Sequence, residues 1–355
     1  MTRILGIETS CDETAAAVVE DRHRVLSSVV ASQVEFHSKY GGVVPEIAAR
    51  HHVEAIDPVV RQALRDAGTT LDRIDAVAVT QGPGLIGSLL VGVCAAKAIA
   101  WQRELPLLAV NHLEGHVRSV FIEHQEIEFP AIALVVSGGH TSLYLCPEEG
   151  VYRSLARTRD DAAGEAFDKV AKLLGLGYPG GPIIEKLARG ADDRAYDFPM
   201  AQMKDHSLDF SFSGLKTAVR RRAQLEGLDH PTAEGGEVSE AVRNMAASFQ
   251  RAVVRVLVKR TVEVCRREDV KTVLLSGGVA CNGRLRDEFE QTARREGLKF
   301  YAPSPKYTTD NAAMIAAAAF LHLERNEIAD LSINAHASLK LGGNGDIPDF
   351  DRARR

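Results

Sequence analysis

The chain has 355 residues, a length that suggests two domains or one large protein of two lobes. Apolar residues make up 45% and charged residues 26%, which argues against disordered, collagen-like and coiled-coil proteins. The formal charge is −5, from 43 basic and 48 acidic residues, so a nucleic-acid binder with a basic field over its whole surface is not expected.

The cysteines and the N-terminus indicate the compartment. Five cysteines are spread singly, in an odd number and without CxxC spacing, which argues against a disulfide scaffold and a thiolate zinc site. The first residues, MTRILGIETSCDE, lack the pattern of a signal peptide, and no uncharged apolar run reaches the ~20 residues that span a bilayer. We expect a cytoplasmic protein that does not enter a membrane.

The first third of the chain alternates strand and helix patterns. Ile4–Ile7 and Ala15–Val19 flank a polar turn, which predicts strand, turn and strand. A strand, a helix, a strand and a helix are predicted next, at Ala76–Val79, Leu85–Trp101, Leu107–Val110 and Leu113–Glu123. Gly87 and Gly92 lie in the first of these helices. Because glycine costs a helix about 1 kcal/mol, they indicate close packing there.

The strand, turn and strand pattern then occurs a second time. Ala131–Val136 and Ser142–Cys146 flank Ser137-Gly138-Gly139-His140-Thr141, which suggests a two-fold duplication. A further strand, Thr272–Leu275, ends in Ser276-Gly277-Gly278. Helices are predicted at Glu165–Leu174, Glu240–Arg267, Arg284–Glu296 and Asn311–Arg325. The mixture predicts an α/β protein with two lobes and a cleft between them.

One segment accounts for the net charge. Gln224–Glu240 has five acids, three glycines and no Lys or Arg, and it is typical of an exposed linker or mobile loop. Without it the chain has 43 acids against 43 basic residues, so the net charge does not exclude RNA as a partner. The glycine-containing tail at 341–355 is expected to be flexible.

His112 and His116 have the spacing of metal ligands. Residues at i and i+4 lie about 40° apart around a helix, so both imidazoles point the same way. Glu114 lies about 200° away, unlike the glutamate of a metalloprotease, which directly follows the first histidine. The spacing therefore favours a metal but not peptide hydrolysis. Alternatively, the two histidines only cap or pack a helix.

Glycine-rich turns follow two of the predicted strands, at Ser137–Gly139 and Ser276–Gly278. Consecutive backbone N–H groups at such turns can converge on a phosphate, and Thr9, Ser10 and Thr141 could add hydroxyl donors. A single Gly-Gly pair is more often a tight turn, but two of them, with the polar turn at 8–14, indicate a phosphate site.

Several acids have both a structural and a functional interpretation. Asp168 could face the cleft and bind hydroxyls, whereas Asp160, Asp161 and Glu165 are typical of acids that favour the start of a helix. Asp310 precedes an alanine-rich helix, where it could be the N-cap or could complete a site of two histidines and one carboxylate. Gly180-Gly181 would admit a ligand to the backbone or end a helix.

Basic residues occur in local clusters. Most such clusters are solvated helix faces, and a nucleic-acid groove is the less common interpretation. They lie at Lys216, Arg220–Arg222, Arg255, Lys259–Arg260, Arg266–Arg267 and Arg294–Arg295.

Seven motifs in order along the chain are similar to those of a known family. They are Gly6-Ile7-Glu8-Thr9-Ser10-Cys11-Asp12-Glu13-Thr14, Tyr40-Gly41-Gly42-Val43-Val44-Pro45-Glu46, Gly82-Pro83-Gly84-Leu85, the His112/His116 pair, Ser137–Thr141, Phe212-Ser213-Gly214-Leu215-Lys216 and Ser276–Gly283. Together, over residues 3 to 340, they closely resemble the tRNA N6-adenosine threonylcarbamoyltransferase family, the bacterial catalytic subunit once described as a glycoprotease.

The resemblance implies a fold and an activity. The fold would be the two-lobed, duplicated fold of actin and the sugar kinases, with residues 1–125 and about 311–340 in one lobe and 126–310 in the other. The activity would be transfer of threonylcarbamoyl from threonylcarbamoyl-AMP to the adenosine 3′ of a tRNA anticodon. The partners would be a non-catalytic paralogous subunit and an ATPase subunit.

The resemblance also implies site residues. His112, His116 and Asp310 would hold one divalent metal ion, with iron expected before zinc. The residues that would line or contact the adenylate are Val135, Val136, Ser137, Gly138, Gly139, Asp168, Gly181, Glu185 and Asn282. The long acidic segment at 224–240 departs from the family pattern, and its role is open.

Three other functions stay open at this point. A metallopeptidase would use the histidine pair, but Glu114 is misplaced for it. A kinase or ATPase of the same fold would explain the Gly-Gly turns but not the histidine pair. A non-catalytic scaffold would not need the metal residues at all.

Overall fold

The structure is a computed structural model that describes residues 1–199, 207–228 and 238–342. It contains two five-stranded mixed sheets. The strands of the first sheet are β1 (Arg3–Glu8), β2 (Glu13–Glu20), β3 (Arg24–Ser32), β4 (Ala76–Gly82) and β5 (Leu107–Asn111). Those of the second are β6 (Ala131–Val136), β7 (Thr141–Cys146), β8 (Arg153–Arg157), β9 (Thr272–Ser276) and β10 (Lys299–Tyr301).

The two sheets repeat one topology. The first has the order β3-β2-β1-β4-β5 and the second has β8-β7-β6-β9-β10. In each, the opening hairpin is antiparallel and the two strands on its other side run parallel to the first strand. The duplication predicted from the two strand, turn and strand patterns is confirmed.

Helices pack on both faces of each sheet. They are α1 (Val34–Ser38), α2 (Pro45–Asp66), α3 (Ile86–Arg103), α4 (His112–Ser119), α5 (Ala163–Leu173), α6 (Gly180–Ala188), α7 (Ser213–Glu226), α8 (Glu240–Glu268), α9 (Gly283–Glu296) and α10 (Ala312–Glu324). No helix among residues 1–199, 207–228 and 238–342 combines the length and apolar character needed to cross a membrane.

The side chains of each strand alternate between two cores, as the two-residue period of a strand requires. In β1, Ile4 contacts the core under α10, whereas Leu5 and Ile7 contact the core under α2 and α3. In the second sheet, β6 alternates in the same way between a core with α5, α7 and α8 and a core with α4. Helices α10 and α4 therefore lie between the two sheets.

Small residues bring α10 close to the first sheet. A Cβ built on Gly6 would lie 2.4 Å from the carbonyl oxygen of Ala312 and 3.0 Å from Cβ of Ala316. The N-terminal end of α10, directly after Asp310, is therefore fixed against the middle of β1 by a contact that admits no side chain.

The predicted acidic loop is described only at its ends. Gln224–Glu226 completes α7, Glu240 begins α8, and residues 229–237 lie outside the described part of the chain. Of the predicted tail, Leu341 is buried between the sheets, and 343–355 lie outside the described residues. The lobe boundaries, 1–125 with 311–340 and 126–310, stay a proposal.

Candidate metal centre and nucleotide cleft

The three predicted metal ligands converge at the helices between the sheets. His112 and His116 lie on α4, which begins where β5 ends and is capped by Asn111, whose Oδ1 accepts from the N–H of Leu113 at 2.9 Å. Asp310 directly precedes Asn311, which caps α10 by accepting from the N–H of Met314 at 3.0 Å. Because Asn311 supplies this cap, the carboxylate of Asp310 is available for another role.

The ligand atoms are close enough to share one ion. Oδ1 of Asp310 lies 3.7 Å from Nε2 of His112 and 3.2 Å from Nε2 of His116. One ligand atom of each of the three residues lies within 4.8 Å of the others. Nitrogen and oxygen ligands at about 2.1 Å from a tetrahedral ion are about 3.4 Å apart, so the separations suit a bound metal.

His116 shows that these residues fit a metal. Its side chain is fully buried, and in the described part of the chain neither ring nitrogen has a hydrogen-bond partner of acceptable geometry. Buried polar atoms are nearly always satisfied, so two unsatisfied nitrogens on one ring need an explanation. An ion shared with Asp310 would satisfy Nε2.

A carboxylate behind His112 orients its ring. Oε2 of Glu8, at the end of β1, lies 3.0 Å from Nδ1 of His112 and accepts from Oγ1 of Thr80 at 2.6 Å. The other oxygen, Oε1, accepts from the N–H of Ser10. A carboxylate on the far nitrogen, the usual outer partner of a histidine ligand, leaves Nε2 of His112 as the atom that could bind a metal.

Charges at the centre shift the pKa values in opposite directions. Burial opposes a charge on His112, but the carboxylates of Glu8 and Asp310 prevail and raise the pKa of His112 to about 9. Burial lowers the pKa of His116. Burial would raise the pKa of Asp310, but His112 and His116 hold it well below its usual range. Asp310 is therefore anionic, as a metal ligand must be.

Glu8 and a third histidine, His140, also lie at the centre, although their sequence patterns did not predict a role there. The ring of His140 lies 6.1 Å from that of His112, centroid to centroid. Burial, followed by the charges of His112 and His116, lowers the pKa of His140 to about 3, so the ring is neutral. The signal for Glu8 was an acid that ends an apolar strand. For His140 it was the histidine that follows the first Gly-Gly turn.

Glu114 lies on the other side of α4, as its position around the helix predicts. Its Oε2 is 3.0 Å from Nε2 of His322, near the end of α10. The carboxylate is therefore already paired with a cation and does not face the three ligands. This arrangement disfavours a peptidase in which Glu114 would activate water at the metal.

The first glycine-rich turn opens onto the cleft. A Cβ built on Gly138 or Gly139 would meet no atom within 4 Å, so the backbone there is accessible to a ligand. Val135 and Val136, in contrast, are completely buried in β6. A ligand at this strand end would therefore meet Ser137 and the two glycines, while the valine side chains belong to the core.

Asp168 lies on α5, where its Oδ1 accepts from the N–H of Gly180 at 2.7 Å. Burial, with added repulsion from Asp12 and Glu165, raises the pKa of Asp168 to about 6. The position of Gly181 is open, since a Cβ there would meet nothing within 4 Å. Asp168 and the accessible backbone at Gly181 are therefore neighbours in the structure.

Glu185 borders a cavity of about 450 Å³, and Asn282 directly precedes Gly283, which also lines it. Oε1 of Glu185 accepts from the N–H of Gly283 at 3.1 Å. The Asn282 amide caps α9 and donates to Oε1 of Gln250 at 2.8 Å. The cavity, lined in part by Gln250 and Arg284, is large enough for a nucleoside.

The basic clusters prove to be paired with acids at many positions. Lys216 lies 3.0 Å from Asp161, Arg222 2.7 Å from Glu226 and Arg266 2.6 Å from Glu296. Glu263 pairs with both Arg260 and Arg267, at 3.3 and 2.8 Å. Paired cations of this kind are typical of solvated helix faces and leave less free positive charge for RNA than the number of basic residues suggests.

Solved structures of low sequence identity share the fold of this chain. ROK hexokinase from Thermus thermophilus has a TM-score of 0.51 at 17% identity, over 91% of this chain and 100% of that chain. Full-length HypF, in a phosphate- and nucleotide-bound form, has a TM-score of 0.59 at 14% identity, over 92% of this chain and 56% of that chain. These likenesses confirm the two-lobed fold of actin and the sugar kinases.

Sequence relatives identify the family. The proteins named tRNA N6-adenosine threonylcarbamoyltransferase from Syntrophobacter fumaroxidans and Symbiobacterium thermophilum are 54% and 53% identical, over 91% and 96% of this chain and 95% and 98% of theirs. The family model described as tRNA N6-adenosine threonylcarbamoyltransferase matches residues 24–317. The chain therefore belongs to the tRNA N6-adenosine threonylcarbamoyltransferase family.

Proposed function

We propose that the protein transfers the threonylcarbamoyl group of threonylcarbamoyl-AMP to the N6 amine of the adenosine 3′ of the anticodon, in tRNAs that read codons beginning with adenine. Membership of the family supports this reaction. The observation that supports a site for this reaction is the convergence of His112, His116 and Asp310. Glu8 lies behind His112, and His140, at the end of the glycine-rich turn, lies close to it.

His112, His116 and Asp310 would hold one divalent metal ion. We infer Fe²⁺, with Zn²⁺ as the alternative, because two histidines and one carboxylate with open positions are typical of Fe(II) sites. A bound metal with open positions supplies Lewis acidity toward a carbonyl oxygen. Glu8 would keep Nε2 of His112 directed at the ion, and the buried helix α4 holds the two histidines on one face.

The adenylate would occupy the other side of the cleft. Ser137, Gly138 and Gly139 would present backbone and hydroxyl donors to the phosphate of the departing AMP, whose negative charge grows as the mixed anhydride breaks. Asp168, Gly181, Glu185 and Asn282 would contact its nucleoside part. The open positions at Gly138, Gly139 and Gly181 and the cavity beside Glu185 support this placement.

The nucleophile is the amine of the tRNA, so the reaction needs no nucleophilic side chain. The target base lies in a loop, where bases can leave the stack and enter a protein cleft. The neutral ring of His140, close to His112, can accept or donate a hydrogen bond at the reacting group.

We further infer that the protein works in the cytoplasm with two partners, a non-catalytic paralogous subunit and an ATPase subunit. Partners would also supply RNA contacts, because many of the cations in the basic clusters are already paired with acids of this chain.

The test is reconstitution. The purified chain is mixed with threonylcarbamoyl-AMP, unmodified tRNA and the partner subunits, and the tRNA nucleosides are measured by mass spectrometry. We expect the modified nucleoside with wild type and a loss of at least 100-fold in rate with His112→Ala/His116→Ala. A normal rate with the double variant would refute the metal-dependent mechanism, and peptide cleavage or tRNA-independent ATP turnover that requires the same histidines would favour the other functions.

A further inference from the structure

The three proposed ligands belong to two helices. His112 and His116 are part of α4, and Asp310 directly precedes α10. The distances among their ligand atoms therefore depend on how α4 lies on α10. A shift of about 1 Å between the helices would separate the ligands from a common ion, because metal–nitrogen and metal–oxygen bonds vary by only about 0.2 Å.

The apolar contact between these helices is close and rests on few large side chains. A Cβ built on Gly115 would lie 2.7 Å from Cδ1 of Ile315 and 3.3 Å from Cγ of Met314, so the backbone of α4 rests directly on α10. The surrounding α10 residues are mostly alanine, at 312–313 and 316–319. Ile315 and Met314 are therefore the large apolar side chains that meet α4 at this point, and the alanines around them add little interlocking between the two helices.

A charged triad, largely buried at Glu114 and His322, joins the helices on the side away from the proposed ligands. Oε2 of Glu114 lies 3.0 Å from Nε2 of His322, and Nδ1 of His322 lies 2.8 Å from Oε2 of Glu327. The side chains of Glu114 and His322 are 8% and 15% exposed. Because each ring nitrogen faces a carboxylate, both must donate, and His322 is an imidazolium. Burial opposes this charge, but the two carboxylates raise the pKa of His322 to about 10.

We infer that Glu114, held by the His322–Glu327 pair, is a positioning residue for the metal centre, which locks α4 on α10 so that His112 and His116 meet Asp310. The glutamate that is misplaced for peptide hydrolysis thus acquires a role through its contact with α10. A buried ion pair fixes one geometry because any displacement leaves a charge without its partner. The inference rests on the proposed metal site.

The test measures metal binding, with Co²⁺ as the probe and its visible absorption as the signature of ligand geometry. Wild type is titrated first. Glu114→Gln and His322→Gln are expected to bind Co²⁺ about 10-fold more weakly, the lower end of the effect of losing an outer partner of a metal ligand, and to shift the absorption bands. The double variant Glu114→Gln/His322→Gln is expected to lose no more Co²⁺ affinity than the single variant that binds Co²⁺ more weakly, because the two residues act as one unit.

Glu20→Gln is the matched control. Glu20 is buried, pairs with Arg3 at 2.9 Å and Arg24 at 2.8 Å, and lies at the end of β2. It should lose stability but keep the Co²⁺ affinity and spectrum of wild type. An equal loss of affinity in Glu20→Gln would show that any weakening of the fold has this effect and would overturn the inference.

The outcomes separate the inference from the proposed function. If wild type binds no Co²⁺, the metal site itself is refuted. If wild type binds and Glu114→Gln and His322→Gln bind within twofold of it with an unchanged spectrum, only the positioning role fails. If those variants do not fold, Glu327→Gln decides, since Glu327 is 30% exposed and its loss should be tolerated. We expect about threefold weaker binding, and unchanged binding would overturn the inference.

Discussion

Oε2 of Glu8 lies 3.0 Å from Nδ1 of His112, although 104 residues separate the two in the chain. Glu8 is completely buried at the end of β1, and His112 is the first residue of α4. The first sheet brings them together because β1 and β5 both run parallel to β4 and end at the same edge. The strand pattern marks Glu8 only as the polar end of a strand, whereas the fold makes its carboxylate the orienting partner of the proposed metal ligand His112.

Glu8→Gln should weaken metal binding by about 10- to 100-fold, the usual effect of removing the outer partner of a histidine ligand. The amide keeps the size of the side chain but removes the charge that favours one ring orientation and raises the basicity of His112. Metal content after equilibrium dialysis measures the effect. An unchanged metal content would mean that Glu8 only satisfies buried hydrogen bonds.

The strand ends and the histidine pair could be predicted from the sequence because their signals are local. The apolar runs of β1, β4, β6 and β9 and the i,i+4 spacing of His112 and His116 each lie within a few residues. The 22-residue helix α2 was missed, since charged residues and the internal Pro58 obscure its pattern. Its buried residues pack on the first sheet, and this tertiary contact stabilises the helix only in the folded chain.

Gly6→Ala should destabilise the protein by about 3 kcal/mol, the upper end for an added methyl group in a packed core. Its Cβ would lie 2.4 Å from the backbone oxygen of Ala312, and backbone cannot yield as a side-chain end can. Urea unfolding measures the loss. Gly214→Ala is the control, because a Cβ there meets no atom within 4 Å. Equal stability of the two variants would contradict the close contact of β1 and α10.

The stability of the protein should fall as the pH rises from about 6.5 to 10, through His322. The folded-state pKa of His322 is about 10, above the ordinary value of 6.5, so its contribution is complete below pH 6.5 and disappears as the pH passes through 10. The groups that face the ring are Glu114 and Glu327. Urea unfolding at pH 6 and 9.5 should show a larger decrease for wild type than for His322→Gln, and parallel decreases would refute the assignment.

Some residues of the candidate site could be predicted from the sequence, and others could not. Motif positions predict the proposed ligands, His112, His116 and Asp310, and the open positions at Gly138, Gly139 and Gly181. The partners Glu8, His140 and His322 could not be assigned, because their roles depend on which elements the fold brings together and not on spacing along the chain. Asp310 illustrates the limit, since its two interpretations were separated only by finding that the neighbouring Asn311 supplies the cap.

Gly181→Ala should leave the fold at least as stable and weaken adenylate binding about 10-fold. Alanine at an unstrained helical position stabilises by about 0.4–1 kcal/mol, and a Cβ at 181 meets only the open cleft. Calorimetric binding of AMP measures the effect. Gly214→Ala occupies the equivalent second position of α7 and should keep wild-type affinity. Normal AMP binding by Gly181→Ala would place the nucleoside elsewhere.

The isolated chain should bind tRNA weakly, with a Kd of about 1 μM or above at physiological salt and a steep dependence on salt. The acidic segment at 224–240 carries five acids and no basic residue, equal to the whole net charge of −5. The rest of the chain therefore has no net charge, and net repulsion from it does not explain weak binding. The affinity for tRNA is limited because basic residues are paired with acids of the same chain, as at Glu263, which pairs with Arg260 and Arg267.

Glu263→Gln tests this argument, because it would free two arginines without adding a cation. We expect tRNA affinity to rise about two- to threefold and the salt slope to steepen by about one phosphate contact. Fluorescence anisotropy between 50 and 200 mM salt measures both. Glu54→Gln removes one negative charge at a mostly exposed site paired only loosely with His51, 3.9 Å away, and controls for net charge. Nanomolar binding by the wild-type chain, or equal gains in the two variants, would show that arginine pairing does not limit RNA binding.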